Sequence, residues 1–263
     1  MSFETTDSNQ LPILTIDPEF KNLIPPLLLE ERTGLEQSIL NEGCRDALVT
    51  WHGVLIDGHN RYEICKKHGI QFQIIELDFD DRDDVIDWIY QNQLSKRNLT
   101  DEKRTYVLGC QYRHRKKRVG APENNSNAQK QFAQNEQIES KKYTAEQLAE
   151  ENNVSRETVK RAEKYADAVD AITSVFDDDI TESIEPGEDN SIKTKILTGE
   201  IKASKQDIVK LAEQPIEKQK AVINRVLSGE CTNVKEASNK IDLEEAKKEA
   251  EEAAIKTDVE LSI

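Results

Sequence analysis

The sequence predicts an α+β fold: a small sheet-containing domain first, then mostly helical modules. Three observations carry this expectation. Strand-forming runs occur only in the first third of the chain, at Leu14–Ile16, Leu48–Ile56 and Phe72–Leu77. From Thr100 onward, apolar residues recur at helical spacing between recognisable caps. Two polar stretches, 120–142 and 177–190, divide the helical part into modules.

Taken in order, residues 1–10 read as a polar, disordered tail, and 11–100 as the sheet domain. Its first strand, Leu14–Ile16, ends at Asp17-Pro18, and Pro25-Pro26 forbids a regular helix between Leu23 and Leu29. A helix from about Glu30 to Asn41 buries Leu35, Ile39 and Leu40 and stops at Gly43. Two strands then flank a His52-Gly53 turn, and the second meets Gly58 before a helix that ends at His68-Gly69. After the strand Phe72–Leu77, the acidic run Asp78–Asp84 either caps the next helix and stays solvated or binds a divalent cation; it lacks the spacing of a calcium loop. Thr100 caps a helix to about Arg118, which opens a helical domain over 101–176 containing a flexible linker, 120–142.

Beyond the linker, Thr144 and Gln147 form a capping box, and Ser155 caps a second helix. Leu148, Ala149, Val154, Val159 and Ala162 fall where a helix-turn-helix packs its two helices, with Asn153 in the turn where a left-handed residue is needed. The second helix then shows Ser155, Arg156, Glu157, Lys160 and Arg161 to the outside, as a DNA-reading helix would; a purely structural helical pair is the alternative. An acidic hinge, 177–190, carries seven acids and no base. In the last module, 191–263, Lys195–Glu200 and Arg225–Glu230 repeat a helix end with Gly in the cap, and helices fit at Ser204–Glu213 and Glu217–Leu227. The final thirty residues suit a weakly amphipathic helix, either a solvated tail or a dimerising element.

Composition narrows the function classes. The 263 residues carry a net charge of -15, which argues against a protein that coats nucleic acid nonspecifically. Charge is uneven, however: between Lys96 and Arg118 nine Lys or Arg oppose Asp101 and Glu102, a local +7. Such contrast is either a phosphate footprint, with Arg113, Arg115, Lys116, Lys117 and Arg118 on the DNA backbone, or a solvated basic helix end. Cys44, Cys65, Cys110 and Cys231 lack CxxC spacing and read as free thiols of a reducing cytoplasm. Cys65, His68 and His59 make no closed zinc set, and no apolar run is long enough for a membrane span.

The stretch Asp57-Gly58-His59-Asn60-Arg61 is the most informative in the chain. A strand, a glycine and a helix start together aim free backbone N–H groups at one point, and Arg61 adds a planar fork of donors. The residues alone leave two readings open: an anion site, or a turn at Gly58 with Arg61 paired to a nearby carboxylate.

With Leu35–Trp51 before it and Asn92–Arg104 after it, this junction resembles the N-terminal domain of ParB-type partition proteins, the ParB/sulfiredoxin fold. In that family the junction reads Gly-Glu-Arg-Arg and cradles the triphosphate of CTP. Sulfiredoxin has Gly-Cys-His-Arg, and free-serine kinases of the fold have Asp-Gly-His-His-Arg, with a glutamate base in the region of Glu30 and Glu31. Gln91–Thr100 resembles the family's Glu-Asn-x-x-Arg region, with Gln91 in place of the glutamate, and Lys96–Thr100 the form found in mobile-element relatives.

The resemblance implies a small mixed sheet, and CTP or another nucleoside triphosphate with Mg2+ held by Gly58, His59, Asn60, Arg61, Asn92 and Arg97. It also implies a homodimer on double-stranded DNA in the cytoplasm, associated with nucleoid or plasmid, acting in partition or transcription control. An enzyme of the same fold, whether nucleotide hydrolase, nuclease or small-molecule kinase, is the rival reading.

Overall fold

A computed structural model describes residues 11–96, 99–118, 145–177 and 191–260. The expectations for the tail 1–10, the linker 120–142, Arg97, the Thr144 cap and the hinge beyond Asp177 lie outside the described residues.

The sheet has four strands: β1 (Thr15–Ile16), β2 (Leu48–Trp51), β3 (Val54–Asp57) and β4 (Ile74–Glu76). Their order is β1-β3-β2-β4, with β2 and β3 antiparallel and the two edge strands parallel to their neighbours, so the sheet is mixed. The β2–β3 turn places His52 (φ 49°) and Gly53 (φ 74°) in the left-handed region, as a two-residue hairpin turn demands. The strand expected over Phe72–Leu77 is shorter, Ile74–Glu76.

Helices cover both faces of β3, which explains its uninterrupted apolar run. Leu55 packs with Ile39 of α2 (Leu29–Glu42) and with Tyr62, Ile64 and Cys65 of α3 (His59–His68). Ile56 is equally buried, and α1 (Pro18–Asn22) and α4 (Arg82–Ser95) also pack against β3. The Tyr62 hydroxyl accepts from the Leu14 N–H at 3.0 Å, tying α3 to the edge of the sheet. Leu40 was expected inside but is 52% exposed, because α2 turns only its Leu35–Ile39 face to the core.

Asp81 caps α4 by accepting from the Asp84 N–H at 2.8 Å, and Thr100 accepts from the Lys103 N–H at 3.2 Å at the head of α5 (Asp101–Arg118). Two further helices, α6 (Ala145–Glu151) and α7 (Arg156–Asp177), are joined by a tight turn. Asn153 takes the left-handed conformation (φ 53°) expected of it, while the Val154 N–H reaches the Ala149 carbonyl at 2.9 Å and closes the end of α6.

The chain forms two compact units, with the boundary inside α7 between Glu163 and Lys164. In the second unit, α8 (Ile192–Leu197), α9 (Lys205–Ala212), α10 (Ile216–Leu227) and α11 (Val234–Glu260) bury a small core that includes Ile196, Leu197, Ile208, Val222, Ile223 and Ala237. The paired sequence motif is a paired structure. Gly199 (φ 80°) and Gly229 (φ 77°) end α8 and α10, and Ile201 and Cys231 donate to Lys195 and Arg225 at 2.9 and 3.1 Å. Val234 donates to Lys202 at 3.0 Å, joining the two turns. Beyond Ile241, α11 leaves this core, and Asp242–Glu251 is exposed throughout.

Candidate anion-binding site

β3 runs into α3 with a single residue between them, and only glycine suits that place. Gly58 has φ 96°, and a Cβ there would stand 2.5 Å from Leu48 Cδ2 and 3.1 Å from Arg61 Nη2. The reversal lets α3 begin directly on the strand end, so the N–H groups of its first turn have no helical carbonyl to serve. They and the positive end of the helix lie at a cavity of about 410 Å³, a size usual for small-molecule sites. Its wall includes Asp57, Gly58, His59, Asn60 and Arg61 from the junction, Gln93 and Lys96 from α4 and the residue after it, Lys103 from α5, and Glu31 from α2.

The wall carries charge of both signs, arranged in pairs. Asp57 is bound by Lys96 at 3.1 Å and Arg61 at 3.3 Å; burial alone would raise its carboxyl, but the two cations hold it below the ordinary range. Arg61 also donates to the Ala47 carbonyl at 3.2 Å, so its guanidinium is oriented from two sides. Lys103, 4% exposed, reaches Glu31 at 3.1 Å, while Glu31 caps α2 by accepting from the Leu28 N–H at 2.9 Å. Three cations against two carboxylates leave a local +1. His59 and Gln93, 4% and 3% exposed, line the same space, and both imidazole nitrogens and the Gln93 Nε2 are buried beside it without any hydrogen-bond partner. Buried polar atoms left unpaired are costly, and here they converge on one cavity. Polar ligand atoms would complete the set.

Of the residues expected to hold a nucleotide, Gly58, His59, Asn60 and Arg61 are gathered at the cavity. Asn92 does not line it; Gln93, one residue along α4, does. Sequence reasoning missed Gln93, and it assigned Lys96 and Lys103 to the basic run rather than to this site. Lys96 could have been found from its proximity to the Asn92 region, whereas Lys103 depends on α5 folding back past α2. Because Asp57 and Glu31 are already engaged by cations, Mg2+ would have to arrive with the ligand's own phosphates. Among the described residues no group of three or more His, Cys, Asp or Glu side chains is placed to hold a metal ion.

The basic run of α5 is largely engaged by carboxylates. Arg115 is 4% exposed: Nε and Nη2 grip Asp87 at 2.6 and 2.7 Å, and Nη1 grips Glu151 at 2.9 and 3.0 Å. Lys116 binds Glu163 at 2.7 Å, and Arg118 binds Asp84 at 2.6 Å and Asp81 at 3.1 Å. Arg113 donates to Cys110 Sγ at 3.5 Å. Arg118 thus pairs with the acidic run at the head of α4, while Arg115 and Lys116 pair with carboxylates of α4, α6 and α7. A DNA phosphate reaching Arg115 or Arg118 would compete with these carboxylates, whereas Lys117 stays exposed.

In the helical pair, Leu148, Ala149, Val159 and Ala162 are buried as expected, but Val154 is 36% exposed because the turn carries it outward. Ser155 caps α7 by accepting from the Thr158 N–H at 3.1 Å. Ser155, Arg156, Glu157 and Arg161 are exposed, and Lys160 is half-buried. Arg156 makes only a surface pair, with Glu146 at 2.9 Å, its side chain 54% exposed. The helix continues well past Arg161, the last of the expected DNA-facing residues, to Asp177.

No helix among the described residues is long and apolar enough to cross a membrane. No family model matches the chain, and no curated protein does. Among solved structures, the chain is similar to one crystal form of a Pnob8-like ParB-N domain, with 20% identity over 82% of this chain and 77% of that one and a TM-score of 0.43. It is also similar to a pNOB8-like ParB N-domain structure, with 21% identity over 86% of this chain and 91% of that one and a TM-score of 0.42.

Proposed function

We propose that this protein is a ParB-like DNA-binding protein that binds a nucleoside triphosphate at the β3–α3 junction and reads DNA through the α6–α7 pair. The observation that carries the reading is the cavity at the head of α3, where Arg61, Lys96 and Lys103 and the unpaired donors of His59 and Gln93 meet. Free helix N–H groups and oriented cations are what polyphosphate needs. The sequence resemblance adds CTP as the first nucleotide to try. A homodimer and a partition role belong to the same proposal.

The nucleotide half is tested by calorimetry with CTP, ATP and GTP, each with and without DNA. Arg61→Ala is expected to weaken triphosphate binding by about 1.5 to 3 kcal/mol, the worth of a charge-assisted contact. Unchanged affinity, or no binding of any nucleotide to the wild type, removes this half.

The DNA half rests on the exposed head of α7. Arg156→Ala is expected to cost about 1 to 3 kcal/mol on the cognate site and to relax discrimination there, as loss of a base contact does. Arg161→Ala is expected to weaken cognate and random DNA alike, by a phosphate contact's share. Competition gel shifts on a site selected from random DNA measure both. If selection enriches no sequence, α7 is not a reader.

A second reading keeps one observation. Glu31 stands on the cavity wall beside Lys103, so a carboxylate is available for acid–base work on a bound substrate, and an enzyme of this fold would use it. Loss of nucleotide turnover in Glu31→Gln with nucleotide affinity kept would favour the enzyme.

A further inference from the structure

We propose that His59 is the charge-sensing residue of this cavity, taking up a proton when a phosphate or polyphosphate anion binds and pairing with it as an imidazolium. The inference rests on the nucleotide reading and deepens it, by giving the site a preference for multiply charged anions and a defined pH dependence.

Geometry comes first. His59 is the first residue of a ten-residue helix, is 96% buried, and has both ring nitrogens in contact with no hydrogen-bonding group. Its neighbour across the cavity, Gln93, leaves Nε2 unpaired in the same way. Two independent buried side chains therefore lack partners at one helix N-terminus, and one anion would serve both.

Burial and the surrounding charges together set the protonation. The groups that face His59 are Asp57 at the end of β3, Lys96 after α4, Lys21 on α1 and Glu63 on its own helix, and farther round the wall stand Arg61, Lys103 and Glu31. Four cations against three carboxylates make the resting surroundings slightly positive: Asp57 and Glu63 favour an imidazolium, while Lys21 and Lys96 oppose it. Burial is the largest influence and pushes the imidazole down to about 4. A dianion reverses the sign of these surroundings. The imidazolium then donates an N–H to an anion oxygen, and solvent supplies the added proton.

The sign of the linkage follows. Above the imidazole's pKa in the complex, binding is indifferent to His59. Between that value and about 4, each binding event takes up a proton, so affinity rises as pH falls, by at most about tenfold per pH unit. Nucleotide phosphates titrate in this window themselves, so sulfate, whose charge is constant there, is the clean probe.

The experiment is NMR of the full chain carrying 13C-labelled histidine, titrated from about pH 8 to about pH 5 alone, with sodium sulfate, and with CTP. Variants His52→Gln, His68→Gln and His114→Gln, none of which lines the cavity, identify the His59 signal by elimination without touching it. The expected result is a His59 signal that stays neutral across the range in the free protein and titrates once sulfate or CTP is bound. Backbone amides of residues 58–61 report occupancy independently. If they shift with ligand while His59 stays neutral, the anion is held without the proton and this inference is overturned. If they shift with neither sulfate nor CTP, the nucleotide reading fails and takes this inference with it. A His59 signal that titrates near its ordinary value without any anion also overturns it.

Discussion

Arg115→Ala is expected to lower the stability of the first unit by about 3 kcal/mol, at the low end for breaking a buried ion pair. The side chain is 5% exposed, and burial alone would disfavour its charge, yet Asp87 and Glu151 hold the guanidinium above its ordinary range. Removal leaves two carboxylates facing each other without a cation. Glu151 is 39% exposed and Asp87 22%, so water recovers part of the loss, which is why the low end applies. Lysine cannot restore the forked contact to Asp87, so Arg115→Lys should recover only a minor part. Urea denaturation checks both substitutions, through a shift in midpoint with little change in slope.

The same variant separates structure from DNA contact. With Arg115 committed to carboxylates, its loss should change DNA binding only as far as it unfolds the protein. Lys117→Ala, at the exposed position, should leave the urea midpoint in place and reduce the salt slope of DNA binding by about 0.9 log unit if Lys117 meets a phosphate. The reverse pattern would return the basic run of α5 to the role that its charge alone implied.

Gly58→Ala is the second large effect. The left-handed φ of 96° costs an alanine about 1 kcal/mol or more, and the 2.5 Å approach to the fully buried Leu48 adds overpacking of about 1 to 3 kcal/mol. A total loss of about 2 to 4 kcal/mol is expected. Arg61 Nη2, 3.1 Å from the added methyl, must move as well, and with it the ion pair to Asp57. Nucleotide binding should therefore fall even at temperatures where the variant remains folded. Thermal unfolding measures the first loss and calorimetry below the transition measures the second; a variant as stable as the wild type would show that the junction relaxes freely.

Local physics made much of this molecule readable from its residues. Pro25-Pro26, His52-Gly53, Gly58, Gly69, Asn153 and the paired Gly199 and Gly229 each act on the backbone within a few bonds, so their turns and helix ends stand where the sequence puts them. Asp81, Thr100 and Ser155 cap by the same short-range logic. The β3–α3 junction belongs to this class, since strand, glycine and helix are contiguous.

Partners distant along the chain were decided by tertiary packing alone. Asp81 and Arg118, 37 residues apart, are brought together only because α4 and α5 lie side by side, one of several pairings that engage the basic run with carboxylates. Gln93 rather than Asn92 faces the cavity because the two lie about 100° apart around the helix, and the packing of α4 chooses between them. Lys103 joins the site from 72 residues beyond Glu31. Charge density is a property of sequence, but whether a charge is free to meet a ligand depends on which opposite charges the fold places within about 4 Å of it.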